Sequence, residues 1–573
     1  MLNIDSLVLD REYLPEKLEV SDWQVVESYF HELLNRNIQG VDELKKWLQN
    51  RSELEAFLQE DLGWRYIRMS CDTANEEYSN AFNFFVGEIQ PKIAPLSHQL
   101  DQFLLGNPYL SLLKGRPYEI LLRQVKKRVE IFREANISLF AELQQKEQEF
   151  STISGAMSIE WEGQEITLQQ ASNFLEQDDR QKREQVYQKI MARRAMDANR
   201  LDDLMNELLV IRNKIAANAD FNDFRDFMFA SLGRFDYDAN DCIQFHKAVE
   251  KFLVPINEKI DAHHRKELML DVLKPWDISA AVKGKVPLKP FSSTEDAMTK
   301  TIACFHEIDP FLGSCMSQMK QANRLDLDSR KGKAPGGYNY PLYETGLPFI
   351  FMNSTNSLRD MVTLVHEGGH AVQSIVDRPL DLVDFKNLPS EIAELASMSM
   401  ELISMEHWQH YFENDQELKM AKRKHLEDVL KGLPWIACVD AFQHWIYTNP
   451  NHTVEERTEA WLKTYERFGS KSVDWSGVEF VKKILWQKQL HIYEVPFYYI
   501  EYGFAQLGAI ALWRNYRLNP SQTIKQYLDA LKMGYTASIS EVYEKAGVRF
   551  DFSEDYVREL AGFVNEEWEK LID

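Results

Sequence analysis

Apolar residues recur at helical spacing along most of this 573-residue chain. Between Arg116 and Glu149, for example, Leu121, Val125 and Val129 lie among charged residues at that spacing. Because residues three or four apart share one face of a helix, the pattern predicts long amphipathic helices. Glycine and proline, which interrupt helices, are sparse for a chain of this length. We therefore expect a mainly α-helical protein.

One predicted β-hairpin interrupts the helices. Residues 157–161 and 165–168 alternate between apolar and polar types and flank the turn sequence Glu162-Gly163-Gln164. The chain is also longer than one ordinary hydrophobic core requires. We place a domain boundary after the hairpin, which predicts an N-terminal helical domain over residues 1–170 and a mainly helical catalytic domain over residues 171–573.

A loop and a short strand are predicted near the middle of the chain. The segment Lys331–Gly337 is rich in glycine and has no periodicity, which indicates a loop. The apolar run Leu347–Asn353 after it predicts a strand. Two interpretations of this strand remain open. Its edge is exposed and pairs with an extended peptide, or it is an internal strand of a small sheet.

The composition is that of a soluble globular protein, with 44% hydrophobic and 27% charged residues. No run approaches the roughly 18 uncharged apolar residues of a membrane-spanning helix. Residues 1–23 carry acidic residues among the apolar ones and lack the basic and apolar regions of a secretory signal. We expect a cytoplasmic protein without a membrane partner.

The charge and the cysteines narrow the chemistry further. A formal net charge of -23 disfavours nucleic acid as a partner, because phosphate binding requires clustered Lys and Arg. The five cysteines are scattered and show no Cys-x-x-Cys spacing. This distribution predicts neither a disulfide framework nor a thiolate zinc site.

The strongest chemical signal is His366-Glu367-Gly368-Gly369-His370, within a helix predicted from Leu358 to Ile375. Residues four apart lie on one helical face, so both imidazoles can bind one metal while Glu367 reaches a metal-bound water. The two glycines each cost about 1 kcal/mol relative to alanine in a helix. Close approach of another backbone or of substrate explains them, and so does simple helix packing.

Catalytic zinc usually has three protein ligands, so the motif requires one more. A second helix is predicted after Ser390 as N-cap, and it places Glu391 and Glu394 on one broad face. A buried carboxylate is unfavourable unless it is paired or bound to metal. By geometry alone either glutamate is a candidate, and both also suit the solvated start of a helix.

His366–His370 followed by Glu394-x-x-Ser397-x-x-x-Glu401 resembles the thimet-type, or oligoendopeptidase F-like, zinc metallopeptidases. In that family the third ligand is the glutamate that opens the Glu-x-x-Ser stretch, and the resemblance therefore selects Glu394. It implies one Zn²⁺ per chain, although such ligands also suit Co or Mn. For Glu401 it suggests a role in orienting one of the two histidines, with plain packing as the alternative.

A segment near the C-terminus extends the resemblance. His491, Tyr498, Tyr499 and Tyr502 resemble the histidine and tyrosine cluster that closes the family's site opposite the metal. A phenolic hydroxyl can donate a hydrogen bond to the oxyanion that develops on an attacked carbonyl. Tyr499 and Tyr502 best match the family's pair, and Tyr498 is the competing choice. Without the metal motif, the same segment would indicate an ordinary aromatic core helix.

The resemblance also implies a fold and a function. It predicts a large helical, zincin-like protein with a deep channel between two halves and a small β element near the active site. The implied activity is hydrolysis of internal bonds in short unstructured peptides. The alternatives are a zinc carboxypeptidase or dipeptidase of similar helical fold, and a non-catalytic peptide-binding protein.

Overall fold

The computed structural model describes residues 11–283, 288–334 and 336–572. These residues are mostly helical, with a few short strands, and the prediction of a mainly α protein is confirmed. No described helix combines the length and the apolar character that crossing a bilayer requires.

The helices before residue 270 are α1 Trp23–Asn35, α2 Val41–Cys71, α3 Glu76–Phe84, α4 Gln90–Leu105, α5 Arg116–Ile131, α6 Ala135–Gly155, α7 Leu168–Ser172, α8 Arg180–Met196, α9 Ala198–Asn218, α10 Phe224–Ser231, α11 Ala239–Phe252 and α12 Val254–Glu267. The later helices are α13 Thr294–Ile308, α14 Pro310–Gln321, α15 Leu358–Val376, α16 Val383–Lys386, α17 Ser390–Ser404, α18 Asp415–Thr448, α19 Val454–Phe468, α20 Glu479–Ile484, α21 Leu490–Glu494, α22 Tyr499–Leu518, α23 Pro520–Leu531, α24 Ile539–Lys545 and α25 Glu554–Ile572. The strands are β1 Ser158–Trp161, β2 Gln164–Thr167, β3 Leu325–Asp328, β4 Tyr338–Tyr340 and β5 Phe349–Ser354.

Strands β1 and β2 form the predicted hairpin. They pair antiparallel, with Ile159 opposite Ile166 and Trp161 opposite Gln164. The two turn residues, Glu162 and Gly163, have φ angles of 51° and 79°. Two left-handed residues in succession are what a tight two-residue hairpin turn requires, and glycine adopts that conformation without steric cost.

The second sheet has three strands in the order β3-β5-β4. Strand β5 runs parallel to β3 and antiparallel to β4. The strand predicted from the apolar run Leu347–Asn353 is therefore the middle strand, which decides between the two open interpretations in favour of an internal strand. Its burial explains the apolar run, because Phe349, Ile350, Phe351 and Met352 are all buried. The neighbouring strand β4 lies at an edge of this sheet.

The chain divides into two compact units. The first comprises Met1–Phe132, Leu288–Ala421 and Ala505–Phe550, and it contains the three-stranded sheet together with α15 and α17. One of its core clusters packs side chains of α1, α2, α4 and α5, including the fully buried Trp47 and Leu100. The domain boundary at residue 170 stays a prediction.

The second unit comprises Arg133–Pro287, Lys422–Phe504 and Asp551–Asp573. Its interior holds the buried guanidinium of Arg212, whose Nη1 donates to the hydroxyl of Tyr447 at 2.7 Å. Nη2 of Arg212 donates to Glu147 at 2.9 Å and also to the backbone carbonyl of Tyr493. A buried charge needs such partners, and here they connect α6, α9, α18 and α21.

Candidate metal centre and aromatic cluster

The two histidines of the motif lie on α15, as predicted. This helix begins with a capping box, in which the hydroxyl of Ser357 accepts from the backbone N–H of Asp360 and the Asp360 carboxylate accepts from the N–H of Ser357. One helical turn separates His366 from His370, and their ring centroids are 4.9 Å apart. Both imidazoles are thus available to a single ion on one face of α15.

The glycines of the motif allow α15 to approach its neighbours closely. A Cβ atom added to Gly369 would lie 2.5 Å from Cα of Ser397 and 2.8 Å from the carbonyl oxygen of Ala396, both on α17. A Cβ added to Gly368 would lie 3.0 Å from the ring of Phe305. Of the reasons that the sequence left open, the structure shows close backbone approach, through packing of α15 against α17.

The approach of α17 brings Glu394 to the histidines. Its Oε2 lies 3.4 Å from Nε2 of His366 and 3.7 Å from Nε2 of His370. Glu394 is only 4% exposed, and the hydroxyl of Ser397 donates to its Oε2 at 3.1 Å. Burial of a carboxylate beside two imidazoles is the arrangement that a metal would stabilise.

Glu391, the rival candidate, occupies a different environment. It is buried as well, at 3% exposure, and its backbone carbonyl accepts from the hydroxyl of Tyr543 at 2.8 Å. Among the described residues, the group around the motif that could hold an ion comprises His366, His370 and Glu394, without Glu391. Helix α17 itself begins at Ser390, with Pro389 in the N-cap position, one residue before the predicted N-cap.

Glu401, about two turns after Glu394 on α17, orients His366. Its Oε1 lies 2.6 Å from Nδ1 of His366. A carboxylate at that distance makes Nδ1 the protonated nitrogen and leaves Nε2 as the lone-pair donor on the side of Glu394. The structure therefore places Glu401 on one of the two histidines, as the sequence suggested.

The charges around His366 act on its protonation. Burial alone lowers the pKa of this imidazole, but the hydrogen bond to Glu401 and the charge of Glu394 outweigh burial and raise the pKa to about 10. Burial and the neighbouring His366 lower the pKa of His370. An ion that binds here displaces the proton of His366, as metal ligands must be deprotonated at the coordinating nitrogen.

Glu367 lies beside the three candidate ligands in an environment that favours proton transfer. It is 7% exposed, and burial, together with the negative charges of Glu394 and Glu401, raises its pKa to about 7. A carboxylate with a pKa near the working pH can both accept and release a proton. The amide of Asn339, on the edge strand β4, donates to the backbone carbonyl of Glu367 at 3.3 Å.

The donor set fits zinc. Ligand atoms of His366, His370 and Glu394 all lie within 4.8 Å of one another. Two imidazole nitrogens and one carboxylate oxygen, with a fourth position open, are a known set for catalytic zinc. Two ligand atoms bound at about 2.0 to 2.2 Å to one tetrahedral zinc ion lie about 3.4 Å apart. The distances from Oε2 of Glu394 to the two Nε2 atoms, 3.4 and 3.7 Å, are close to that value.

The second unit brings His491 and the three predicted tyrosines into one aromatic cluster. The ring centroid of His491 lies 4.6 Å from that of Tyr499, 6.0 Å from that of Tyr502 and 6.2 Å from that of Tyr498. The rings of Tyr499 and Tyr502 are 5.6 Å apart, at the start of α22. Their spacing of three residues places both on one helical face, as the sequence predicts.

Hydrogen bonds determine the tautomer of His491. The indole N–H of Trp435, which can only donate, lies 2.9 Å from Oε1 of Gln489. The amide nitrogen of Gln489 is therefore directed to Nδ1 of His491, at 2.7 Å, and donates to it. Burial lowers the pKa of His491 to about 4, so the ring is neutral and carries its proton on Nε2. His491 is a hydrogen-bond donor at Nε2.

The residues just before α22 include one with a strained backbone, which is stabilised by hydrogen bonds to buried side chains. Phe497 has a φ of 68°, an unfavourable value for a bulky residue. Its N–H donates to Oε1 of Gln443 at 2.8 Å, and its carbonyl accepts from Arg234. Arg234 also pairs with Glu501 at 2.9 Å on the first turn of α22. These contacts fix the position at which the tyrosine segment begins.

Sequence reasoning did not find Gln489, Trp435, Gln443 or Arg234. Each acts through a contact with a residue in another element, and none belongs to a local pattern. Gln489 lies two residues before His491, but only the position of Trp435 on α18 shows how its amide is oriented.

Comparisons with known proteins identify the family of the chain. The sequence model of Peptidase family M3 matches residues 173–562, and that of the Peptidase M3 N-terminal domain matches residues 14–132. Oligopeptidase PepF of Bacillus subtilis (strain 168) is 24% identical over 505 residues, which cover 85% of this chain and 73% of that protein. The Oligoendopeptidase F homolog of Borreliella burgdorferi is 21% identical and covers 81% of this chain and 78% of that protein. Among solved structures, PZ peptidase A with inhibitor 2 is similar, with a TM-score of 0.90 and 26% identity over 97% of this chain and 98% of that chain.

Proposed function

Since the chain belongs to peptidase family M3 and is a peptidase, we propose that it is a zinc-dependent endopeptidase acting on internal bonds of short unstructured peptides. The observation that carries this proposal is the group formed by the half-buried His366 and His370 and the buried Glu394, with the buried Glu367 beside it. The names of its relatives, an oligopeptidase and an oligoendopeptidase F homolog, support peptides as the substrate class.

The proposed hydrolysis divides the work among residues of α15 and α17. One zinc ion at this site would be held by His366, His370 and Glu394, and it would polarise the scissile carbonyl and lower the pKa of a bound water. Glu367 accepts the proton of the attacking water and passes it to the leaving amine. Its pKa of about 7 supports this role, because the group then gains and loses a proton near neutral pH.

In the same proposal, the aromatic cluster stabilises the negative oxygen of the tetrahedral intermediate. His491 donates from Nε2, the nitrogen that Gln489 leaves protonated. Tyr499 and Tyr502 supply phenolic donors, with Tyr498 as the competing choice. Burial raises the pKa of Tyr499 to about 12, which keeps its proton in place at neutral pH. A well-placed donor of this kind contributes about 3 kcal/mol to the transition state.

Strand β4 is a suitable binding element for an extended peptide. It lies at the edge of its sheet, and its residue Asn339 contacts the backbone of Glu367. Pairing with an edge strand uses backbone hydrogen bonds, so binding tolerates many side chains. We therefore transfer to β4 the role that the sequence left open for the apolar run Leu347–Asn353, which follows β4 in the chain.

We place the protein in the cytoplasm, which agrees with five free cysteines.

Exchanging Glu367 for Gln tests the chemistry. The amide cannot accept the proton of water, so hydrolysis of a quenched fluorescent peptide should be abolished while zinc, measured by elemental analysis, stays bound. Full activity of Glu367→Gln would contradict the assignment.

The ligand set has its own matched pair of variants on α17. Glu394→Gln should lose the zinc ion of this site and the activity, because a carboxylate ligand is removed. Glu391→Gln, three residues away and equally buried, should retain the zinc content of the unmodified protein.

The type of peptidase is decided by peptides blocked at both ends. An endopeptidase cleaves them, and a chelator stops the cleavage. A carboxypeptidase or dipeptidase requires a free terminus and would leave the blocked peptides intact. A non-catalytic binding protein would cleave neither blocked nor unblocked peptides.

A further inference from the structure

A second cluster of metal-binding side chains lies in the second unit. Helix α11 carries Cys242 and His246, and helix α18 carries Asp440 and His444. Residues four apart share a helical face, so each helix presents two such side chains to the other. None of these residues takes part in the peptidase chemistry described above.

The four side chains meet at Asp440. Its Oδ2 lies 2.8 Å from Nε2 of His246 and 3.2 Å from Nε2 of His444. Ligand atoms of Cys242, Asp440 and His444 all lie within 4.8 Å of one another. Oδ2 of Asp440 is the carboxylate oxygen that contacts His246. The other carboxylate oxygen, Oδ1, does not take part in this contact.

The cluster is buried and surrounded by aromatic rings. Cys242 and Asp440 are 0% exposed, His246 is 3% exposed and His444 is 7% exposed. The surrounding rings are those of Phe229, Phe245, Phe468 and Phe497. These four phenylalanine side chains have no polar atoms, so they cannot form hydrogen bonds with the cluster.

Three polar atoms of the cluster have no hydrogen-bond partner among the described residues. They are Oδ1 of Asp440 and both ring nitrogens of His444, although Nε2 lies 3.2 Å from Oδ2 of Asp440. Buried polar atoms are almost always paired, and each one that is not requires an explanation, of which an ion is one. An unpaired carboxylate oxygen, an unpaired imidazole nitrogen and a nearby thiol are all metal ligands.

We propose that Cys242, Asp440 and His444 bind a second zinc ion, which connects α11 to α18. His246 positions Asp440 through its bond to Oδ2, as carboxylates that bind metal are commonly held by a further hydrogen bond. A thiolate and a carboxylate together neutralise a divalent cation, so the buried site carries no net charge. A set of sulfur, nitrogen and oxygen ligands suits zinc, whereas Mg²⁺ and Ca²⁺ prefer oxygen alone.

This site departs from the expectation of no thiolate zinc site. That expectation rested on the lack of a Cys-x-x-Cys pair, which is a local pattern. Here the ligands come from two helices far apart in the chain, and only the fold brings them together. The role is structural and does not depend on the proposed peptidase mechanism.

Cobalt substitution tests the proposal on the purified full-length protein. Co²⁺ bound to a thiolate gives a charge-transfer absorption in the near ultraviolet, and the proposed catalytic site contains no cysteine. We expect this absorption in the cobalt-loaded protein, and two zinc ions per chain in the zinc-loaded protein. The absorption should persist in the double variant His366→Ala, His370→Ala, which should retain one zinc ion.

The ligand variant is Cys242→Ser, which should lose the absorption and one of the two zinc ions. Cys438→Ser is the matched control, because Cys438 is 1% exposed and lies on α18 outside the cluster. It should keep both ions. No thiolate absorption in the unmodified protein, or an absorption that survives in Cys242→Ser, would overturn the proposal. If Cys242→Ser does not fold, the unmodified protein and the double variant still decide the question.

Discussion

A single hydrogen bond, between Glu401 and His366, selects the imidazole nitrogen of His366 that is available to a metal. With Nδ1 held at 2.6 Å from the carboxylate, only Nε2 is left for coordination. The same carboxylate increases the basicity of the ring, which strengthens a bond to zinc. The ring orientation depends on a side chain that is not among the three proposed ligands.

We expect Glu401→Gln to weaken zinc binding by about 10- to 100-fold. The neutral amide holds the imidazole of His366 less firmly than the carboxylate does, and it lacks the negative charge. Competition with a chelator of known affinity measures this change. Glu417→Gln, on the exposed start of α18, is the control and should bind zinc as the unmodified protein does. Equal affinity of the two variants would contradict the role of Glu401.

The Trp435–Gln489–His491 chain makes a prediction about pH. In the unmodified protein, burial holds the pKa of His491 at about 4, so His491 contributes no ionisation to kcat between pH 5 and pH 9. In Gln489→Glu, a carboxylate faces Nδ1, which raises the pKa of the ring and moves its neutral proton from Nε2 to Nδ1. Only the protonated ring then donates from Nε2.

Activity of Gln489→Glu should therefore fall as pH rises through the new pKa of His491, by about 100-fold in kcat if one oxyanion donor is lost. The pH profile of kcat, with KM measured in parallel, tests this expectation. Gln181→Glu, an exposed exchange on α8, should keep the profile of the unmodified protein. An unchanged profile for Gln489→Glu would exclude the tautomer assignment.

At the scale of elements, the packing of α15 against α17 decides where the third ligand lies. Helix α15 carries two histidines and α17 carries Glu394, and the two meet where Gly369 has no Cβ. The histidines are positioned by the period of one helix, whereas Glu394 is positioned by the separation of two helices. The glycine that costs helix propensity thus permits the close approach that brings Glu394 to the two histidines.

Gly369→Ala should destabilise the protein by about 1 to 3 kcal/mol, despite the better helix propensity of alanine, because the new Cβ meets backbone atoms of α17. It should also weaken zinc binding, because Glu394 moves with α17. Thermal unfolding and zinc content measure the two effects.

Gly432→Ala on α18 is the control for this exchange. A Cβ at Gly432 meets nothing within 4 Å, so only the helix propensity changes and the protein should gain up to about 1 kcal/mol. If both alanine variants were stabilised, the close approach of α15 and α17 would not be a constraint.

For the molecule as a whole, Asp377 makes stability depend on pH. This residue follows α15, is 5% exposed, and accepts from the amide of Gln373 at 3.1 Å. Burial raises its pKa to about 7. In the unfolded chain its pKa is about 3.9, so between these two values the folded protein holds a proton that the unfolded chain has lost. Its contribution to stability therefore decreases as pH rises from about 4 to about 7.

Asp377→Asn removes this titration and keeps the shape of the side chain. The variant should be more stable than the unmodified protein at pH 8, by up to about 4 kcal/mol, and the difference should shrink toward pH 5. Melting temperatures measured at both pH values test it. Asp42→Asn, whose parent side chain is 96% exposed, should change neither value. A constant difference between pH 5 and pH 8 would contradict the assignment.

How well the sequence predicts a structural feature depends on how far apart in the chain the residues that form it lie. The helical class, the hairpin around Glu162 and Gly163, and the common face of His366 and His370 follow from spacing within one segment. Spacing of this kind is set by backbone geometry, which a linear pattern reports directly. The sequence alone therefore determined the fold class, and it indicated a two-histidine metal centre with Glu367 beside it.

Only the tertiary structure decided the contacts between segments. It placed Glu394 and not Glu391 with the histidines, and it made β5 an internal strand. It also directed Gln489 to His491, and it assembled the buried cluster around Asp440. The family resemblance anticipated Glu394, but no local pattern distinguishes it from its neighbour, because both glutamates lie on the same face of one helix. Which of the two reaches the histidines depends on how α15 and α17 pack, and packing is a property of the folded chain.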